Sequence, residues 1–306
     1  MKLILSVAIS FIVAFVIFYI FMTSYNDTLA FREKTFYSQN FDHDEKKVFL
    51  IGSSHVGQLN TTLVNEYVKQ IHYDYEIFNL SYQGDTPQKR IKTLEQIISS
   101  KPNMVVIGIS YRDFDDKNIK NEFDIKKYSI GTILSDSIEN NFFSNPKLTT
   151  LTAIRDLNSK QNFDNYKINT PFFSYIPNQK IATIKELNDE AVVSNPSKIF
   201  LSDIQTNDQL KYLKKMINEF QKNNINVVIF STPLNTIYLN DIPEIQKESF
   251  KQILDEIHKN NVTIYDLTEM YSDIPIWLNT SHVAYNKNST IYSEDIAKII
   301  LNEIES

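Results

Sequence analysis

The sequence has no cysteine and only five glycines among its 306 residues. Without cysteine, disulfide bonds, thiolate metal sites, cysteine catalysis and a lipoprotein anchor are all excluded. Because glycine is scarce, each remaining glycine is informative about the local backbone. The five are Gly52, Gly57, Gly84, Gly108 and Gly131. A net charge of −6 argues against a nucleic-acid partner, which would require a basic surface.

An uncharged run of about 20 residues near the amino terminus, Leu3–Met22, has the length of a membrane-spanning helix. Lys2 precedes this run and the next basic residue is Arg32, so the positive-inside rule places the amino terminus in the cytoplasm and the rest of the chain outside. A cleaved signal peptide is the alternative, although its apolar region is normally about 7–15 residues long. We predict a single-pass signal-anchor over residues 1–23 and a polar stalk over residues 24–46.

Five short apolar segments alternate with amphipathic segments, which predicts strands alternating with helices. The predicted strands are Lys47–Ile51, Tyr75–Leu80, Met104–Ile109, Asn226–Phe230 and Val262–Tyr265. The predicted helices are Val56–Ile71, Thr86–Ser99, Gln209–Asn223, Glu244–Asn260 and Thr290–Glu303. This order predicts one α/β domain over residues 47–306, after the transmembrane helix. Its three layers would surround an open, mainly parallel five-stranded sheet of the flavodoxin-like kind.

The alternation stops between about residues 111 and 205, where polar and aromatic residues predominate. We interpret this stretch as an insertion with helical pieces around Thr149–Asn158 and Ile184–Ala191. Long segments in such a place are often lids or substrate-binding elements. Some of its aromatic residues could stack on sugar rings or line an acyl pocket, but most are expected to form the insertion's own core. They include Phe142, Phe143, Phe172, Phe173 and Tyr175.

Two short motifs carry the candidate chemistry. The first strand runs directly into Gly52-Ser53-Ser54-His55, and Asn279-Thr280-Ser281-His282 lies on a loop ahead of the last helix. Open α/β folds bind ligands at the carboxyl edge of the sheet, and a late loop can bring a histidine to that edge. The pair therefore predicts a serine nucleophile and its base, and so acyl chemistry. The plainer alternative is that Ser53 and Ser54 cap the following helix.

The order of these motifs resembles that of the SGNH hydrolase superfamily, also called GDSL-like, over roughly residues 47–110 and 207–304. Families of this fold include esterases, lipases, carbohydrate deacetylases and membrane-linked O-acyltransferases of surface polymers. The first block, Gly-Asp-Ser in the family, is Gly52-Ser53-Ser54 here, which implies that Ser54 is the nucleophile. The resemblance further implies that the amides of Ser54 and Gly84 bind the oxyanion and that His282 is the base.

The sequence departs from the family pattern at two positions. Ser110 replaces the asparagine of the third block, and losing an oxyanion donor typically costs about 10²–10³ in rate. Ser110 remains a candidate donor with a shorter reach. Asn279 replaces the aspartate that orients the histidine, a change that costs about 10⁴ in a serine protease because the wrong imidazole tautomer is favoured. The candidates for a substitute orienting group are a backbone carbonyl and the carboxylates of Asp273, Asp85 and Asp113.

Together these features predict a membrane-anchored, extracytoplasmic esterase or O-acyltransferase whose substrate is an acylated envelope glycan, another polymer or a small ester. His55, Tyr111 and Arg112 are candidate substrate contacts, and a cation such as Arg112 suits an anionic or carbonyl group. One alternative is a catalytically inactive relative that binds surface glycan or scaffolds an envelope assembly. Another is a binding module of a different α/β family, which requires Ser54 and His282 to lie far apart. No metal, cofactor or nucleic-acid partner is predicted.

Overall fold

The computed structural model describes residues 45–115, 170–172 and 179–306, together with residues 14, 15, 33, 36 and 37. The chain divides into two compact units, Met1–Phe41 and Asp42–Ser306, and the elements below belong to the second. In the described part of the chain, no helix is long and apolar enough to cross a membrane. Most of the predicted span and stalk lies outside it, as do the predicted helix Thr149–Asn158 and the insertion aromatics other than Phe172.

The domain is built on a sheet of five parallel strands in the order β2-β1-β3-β4-β5. The strands are β1 (Lys46–Ile51), β2 (Tyr75–Asn79), β3 (Met104–Ile109), β4 (Asn226–Ser231) and β5 (Thr263–Asp266). All six residues of β3 are buried, as are five of the six in β1. Such burial explains their continuous apolar sequences, because a central parallel strand is covered on both faces. The five predicted strands are confirmed, and their ends differ from the predicted ones by at most one residue.

The helices are α1 (Ser54–Gly57), α2 (Thr61–Ile71), α3 (Pro87–Arg90), α4 (Leu94–Ser99), α5 (Ile184–Ser194), α6 (Asp208–Lys222), α7 (Thr236–Asp241), α8 (Glu244–His258) and α9 (Thr290–Glu305). Short 3₁₀ turns cover Ile91–Thr93, Tyr111–Phe114 and Pro196–Lys198. A separate antiparallel hairpin joins β6 (Trp277–Asn279) to β7 (His282–Val283).

Two of the predicted helices are interrupted, and two elements were not predicted at all. The prediction of one continuous helix over Val56–Ile71 is wrong, because α1 ends at Gly57 and a second helix, α2, begins at Thr61. The Asn60 side chain caps α2 by accepting the Leu63 N–H at 3.1 Å. The helix Thr86–Ser99 contains a 3₁₀ turn, although Thr86 does cap it as expected. The short helix α7 and the β6–β7 hairpin were missed.

Helices cover both faces of the sheet. On one face, a single apolar cluster joins strand residues to α2 and α9; its members include Val48, Leu50, Val106, Val228, Val64, Val68, Ile296 and Ile300. The strand residues that alternate with these, such as Phe49, Val105 and Ile229, are also buried and point to the opposite face. On that side α6 contacts β4 and α8 contacts β5. The segment that begins at Gly52 follows the last residue of β1 and so lies at the carboxyl edge of the sheet.

Two glycines allow α1 to lie close to that edge. Gly52 has a φ of +150°, which side chains rarely allow, and a Cβ there would lie 2.7 Å from the Gly108 carbonyl oxygen. A Cβ at Gly108 would lie 2.3 Å from Val56 Cγ2 and 2.7 Å from Phe230 Cζ. Because Gly52 and Gly108 carry no side chain, Val56 can pack against the ends of β1 and β3. This packing fixes the helix that carries Ser54.

We expect Gly108→Ala to lower the free energy of unfolding by about 1–3 kcal/mol, because the added methyl group overpacks a closed site. The matched control is a double-mutant cycle with Val56→Ala, measured by chemical denaturation of the full chain. Removing Val56 Cγ2 should recover part of the loss, so the two effects should not add. Additive effects would contradict the proposed contact.

Candidate active site

The hairpin brings His282 directly to Ser54. Ser54 is the first residue of α1, immediately beyond β1, and its Oγ lies 2.7 Å from His282 Nε2. This is hydrogen-bond distance for a nucleophile and its base, between residues 228 positions apart in the chain. His282 begins β7 rather than lying on a loop as predicted. The interpretation that requires these two residues to lie far apart is therefore wrong.

Asn279 determines which nitrogen of His282 carries the proton. Its Oδ1 accepts the backbone N–H groups of Ser281 at 3.0 Å and His282 at 2.8 Å, and it lies 3.0 Å from His282 Nδ1. Two backbone N–H groups can only donate, so the atom they share is the amide oxygen. That oxygen must accept a proton from Nδ1, which leaves Nε2 unprotonated and able to accept the Ser54 hydroxyl.

The loss of about 10⁴ in rate expected from an asparagine at this position assumed the wrong imidazole tautomer, and this orientation of Asn279 favours the right one. An asparagine favours the wrong tautomer when its NH₂ group faces the imidazole. Here the turn between β6 and β7 holds the amide oxygen toward the ring. Ser281 Oγ makes a second contact with Nδ1, at 3.1 Å. What Asn279 does not supply is the negative charge that an aspartate would place beside the imidazolium.

None of the three carboxylates considered as substitutes is needed to orient His282, since each has a different partner. Asp273 accepts a hydrogen bond from the Thr236 hydroxyl, and Asp85 forms a buried ion pair with Arg90. Asp113 accepts from Ser110. Within the described ranges, no group of three or more histidine, aspartate or glutamate side chains could hold a metal ion.

Ser110 is not placed as the predicted oxyanion donor. It is buried, and both its N–H and its hydroxyl donate to Asp113 Oδ2, at 2.6 and 3.0 Å. Burial raises the pKa of Asp113 to about 7, against the opposing effect of the two hydrogen bonds from Ser110, and Oδ2 holds the Ser110 hydroxyl. Gly84 lies in an exposed turn after β2 with a φ of +66°. The oxyanion role of the Ser54 and Gly84 amides stays a prediction.

His55 lies beside the pair rather than on a loop open to solvent. Its ring is buried and stacks on the ring of His282, with centroids 4.4 Å apart and planes 13° from parallel. Its Nδ1 lies 2.9 Å from Ser53 Oγ. Ser53 occupies the N-cap position of α1 but makes no capping bond through its side chain. The capping alternative is therefore wrong for Ser53, whose hydroxyl holds His55 instead.

Tyr111 and Arg112 follow β3 but have different environments. Tyr111 is buried and its ring stacks on Phe250 of α8 at 4.1 Å, so its predicted contact with substrate is corrected to a packing role. Arg112 is exposed, donating through Nε to Tyr238 Oη and through Nη2 to the Ser194 carbonyl, both at 2.7 Å. These two bonds fix a guanidinium group at the active edge.

The imidazole of His282 is kept neutral by its surroundings. Burial, followed by the positive charge of Arg112, lowers the pKa of His282 to about 4. Burial, with smaller contributions from His282 and Arg112, also holds the pKa of His55 well below its usual range. Both rings are therefore uncharged near neutral pH, which is the state in which His282 can accept a proton.

Glu190, in the insertion helix α5, supports the hairpin and was missed by sequence reasoning. Its carboxylate accepts the Thr280 N–H at 3.0 Å and also the Thr280 hydroxyl. From the other side, the Asn235 N–H donates to the Thr280 carbonyl at 3.0 Å. The turn that presents His282 is thus held from two elements that are distant in sequence. No local pattern around Glu190 signals this role.

The comparisons with known proteins gave the following similarities. A protein-family model matches residues 175–301, and no curated protein matches the chain. Among solved structures, a lipase/acylhydrolase from Enterococcus faecalis is 13% identical, with a TM-score of 0.44 over 85% of this chain and 95% of that one. A GDSL-like lipase from Bacteroides thetaiotaomicron is 11% identical, with a TM-score of 0.43 over 90% and 96%.

A catalytic mutant of the acetylxylan esterase Axe2 from Geobacillus stearothermophilus is also similar, at 11% identity and a TM-score of 0.41, over 83% of this chain and 93% of that one. The strand order, the serine after β1 and the histidine ahead of the last helix occur in the order that the sequence resemblance implies. The expected five-stranded parallel α/β architecture is confirmed, while the reaction and the substrate depend on the site itself.

We expect reaction of Ser54 with a serine-directed fluorophosphonate to lose rate only as the pH falls through about 4, because His282 must be neutral to accept the proton. Arg112→Gln should move this acid limb to higher pH, since a positive charge near His282 is removed. Arg112→Lys keeps the charge and is the control. A wild-type limb at or above 6.5, the ordinary histidine value, would contradict the assignment.

Proposed function

We propose that this chain is an SGNH-type esterase or O-acyltransferase in which Ser54 is the nucleophile and His282 is the general base. The observation that carries the proposal is the 2.7 Å approach of Ser54 Oγ to His282 Nε2, in the tautomer that Asn279 imposes. A serine that donates to an unprotonated, buried imidazole is arranged for attack on an ester carbonyl. The SGNH-like fold provides the setting for this chemistry.

In the first half of the reaction, Ser54 Oγ forms a bond to the carbonyl carbon while its proton moves to His282 Nε2. The carbonyl oxygen becomes an oxyanion, for which the amides of Ser54 and Gly84 are the proposed donors. The tetrahedral species then collapses, the ester C–O bond breaks, and the leaving alkoxide takes the proton from His282. Water or a sugar hydroxyl next gives its proton to His282 and attacks the acyl carbon. The bond from that carbon to Ser54 Oγ then breaks, and Ser54 takes the proton back from His282.

We further propose an acylated glycan or other polymer of the cell envelope as the substrate. The uncharged segment Leu3–Met22 supports a membrane anchor with the catalytic domain on the outer side. Arg112 supports an anionic or carbonyl group near the scissile ester, because its exposed guanidinium is fixed by two hydrogen bonds and its charge lowers the pKa of both histidines. The insertion, whose helix α5 buttresses the hairpin through Glu190, is a candidate substrate-binding element.

We expect fluorophosphonate labelling and ester turnover by the full chain to disappear in both Ser54→Ala and His282→Ala. The first variant lacks the nucleophile and the second lacks the base, so each should lose at least about 10³-fold in rate. Ser99→Ala is the matched control, because it removes an exposed hydroxyl at the end of α4 and leaves every contact of His282 in place. A folded wild-type chain that neither labels nor turns over an ester would overturn the proposal.

The second candidate is an inactive SGNH-fold protein that binds surface glycan or scaffolds an envelope assembly. Two observations favour it. The Ser110 hydroxyl is committed to Asp113 rather than to an oxyanion, and Asn279 brings no charge to stabilise the imidazolium. A chain that lost both catalytic supports could retain the cleft for binding.

Asn279→Asp separates these two candidates. In an active enzyme the added carboxylate should raise the pKa of His282 and move the acid limb upward, with a rate change within about tenfold. Asn279→Leu, the control, should lose more than about 10²-fold because the ring loses its orienting bond. The measurement is labelling rate against pH. Activity that appears only in Asn279→Asp would instead support the inactive relative.

A further inference from the structure

The stacked ring of His55 is a buried aromatic group that the reaction above does not use. Its plane lies 13° from that of His282 and the centroids are 4.4 Å apart, so the two rings overlap face to face. Ser53 Oγ fixes the His55 ring through Nδ1, while Ser54 and Asn279 fix the ring of His282. Because each ring is held by its own hydrogen bonds, the stack exists before any reaction begins.

The positive charge that forms on His282 during the reaction has no anionic neighbour among its hydrogen-bond partners in the described residues. When Ser54 gives up its proton, His282 becomes a buried imidazolium. Among the described residues its hydrogen-bond partners are Ser54, Ser281 and Asn279, none of which is a carboxylate. The positive charge of Arg112 lowers the pKa of His282 and so opposes the new charge. The cation therefore forms without the anionic neighbour that an aspartate would provide.

A neutral aromatic face can take part of that role. A cation over an aromatic ring within about 6 Å of the centroid is attracted by the ring quadrupole, and the attraction is strongest in a desolvated site. His55 meets the distance, and it is buried with its Nε2 without a hydrogen-bond partner in the described part of the chain. Its interaction with His282 should strengthen as charge develops, which is the property that accelerates a reaction.

We propose that His55 is a positioning residue that stabilises the imidazolium of His282 through its aromatic face, and so compensates for the aspartate that Asn279 replaces. The inference rests on the proposed function, because it assigns a role within the same proton transfer. It needs the face of the ring and not its nitrogens, so another flat aromatic side chain should serve.

The test compares His55→Phe with His55→Leu in the full chain, using the second-order rate of fluorophosphonate labelling across pH. In this reaction Ser54 Oγ bonds to phosphorus, fluoride leaves, and His282 accepts the proton. His55→Leu should lower the plateau rate about 10- to 30-fold, as expected for the loss of a desolvated cation–π contact. It should also move the acid limb to lower pH. His55→Phe should keep the plateau rate within about threefold and leave the limb in place.

A rescue variant distinguishes this role from a structural one. Adding Asn279→Asp to His55→Leu should restore most of the lost rate, because the carboxylate supplies the stabilisation that the ring gave. Thermal unfolding of each variant checks that the comparison is between folded chains. Equal losses in Phe and Leu, an unchanged Leu variant, or no rescue by aspartate would overturn the inference. Absence of labelling in the wild type would overturn the proposed function and the inference together.

Discussion

The position of Ser54 depends on a close contact between Gly52, which follows β1, and Gly108, near the end of β3. A side chain at either glycine would collide with Val56 and with backbone or ring atoms, so only glycine lets α1 lie against the sheet. Because β1 lies between β2 and β3, this contact places Ser54 in the interior of the carboxyl edge rather than at its margin. The β6–β7 hairpin then completes the site, held there by Glu190 from the insertion and by Asn235, which caps α7.

The site combines a serine and a histidine with an uncharged orienting group. Asn279 Oδ1 accepts three hydrogen bonds. Two come from backbone N–H groups of its own turn, and the third comes from the imidazole Nδ1. The turn therefore sets the tautomer without a carboxylate. Burial and Arg112 keep the imidazole neutral, which favours its action as a base, while the same surroundings oppose the imidazolium that forms next. A stacked neutral ring beside His282 is consistent with that requirement.

Much of the scaffold could be predicted from the sequence because buried parallel strands have continuous apolar segments, and because Ser54 and His282 follow a recognisable order. Features that depend on short elements or distant contacts could not. The helix α7 and the β6–β7 hairpin have too few residues for a periodic pattern, and nothing near Glu190 indicates that its carboxylate binds Thr280. The capping box of Ser110 and Asp113, in contrast, could have been predicted. A serine followed three residues later by an acidic residue is a local signal that the serine hydroxyl has a partner within its own turn. The orientation of the Asn279 amide is set by backbone N–H groups, which residue type alone does not reveal.

The central claim is that the proton of neutral His282 lies on Nδ1 and leaves Nε2 for Ser54. The most direct measurement is two-bond ¹H–¹⁵N correlation NMR of the chain labelled with ¹⁵N-histidine, near neutral pH. The sequence contains only five histidines, and His282→Gln would assign the signal. The account predicts a protonated Nδ1 and an unprotonated Nε2 for His282. A proton on Nε2, or a doubly protonated ring at that pH, would contradict it.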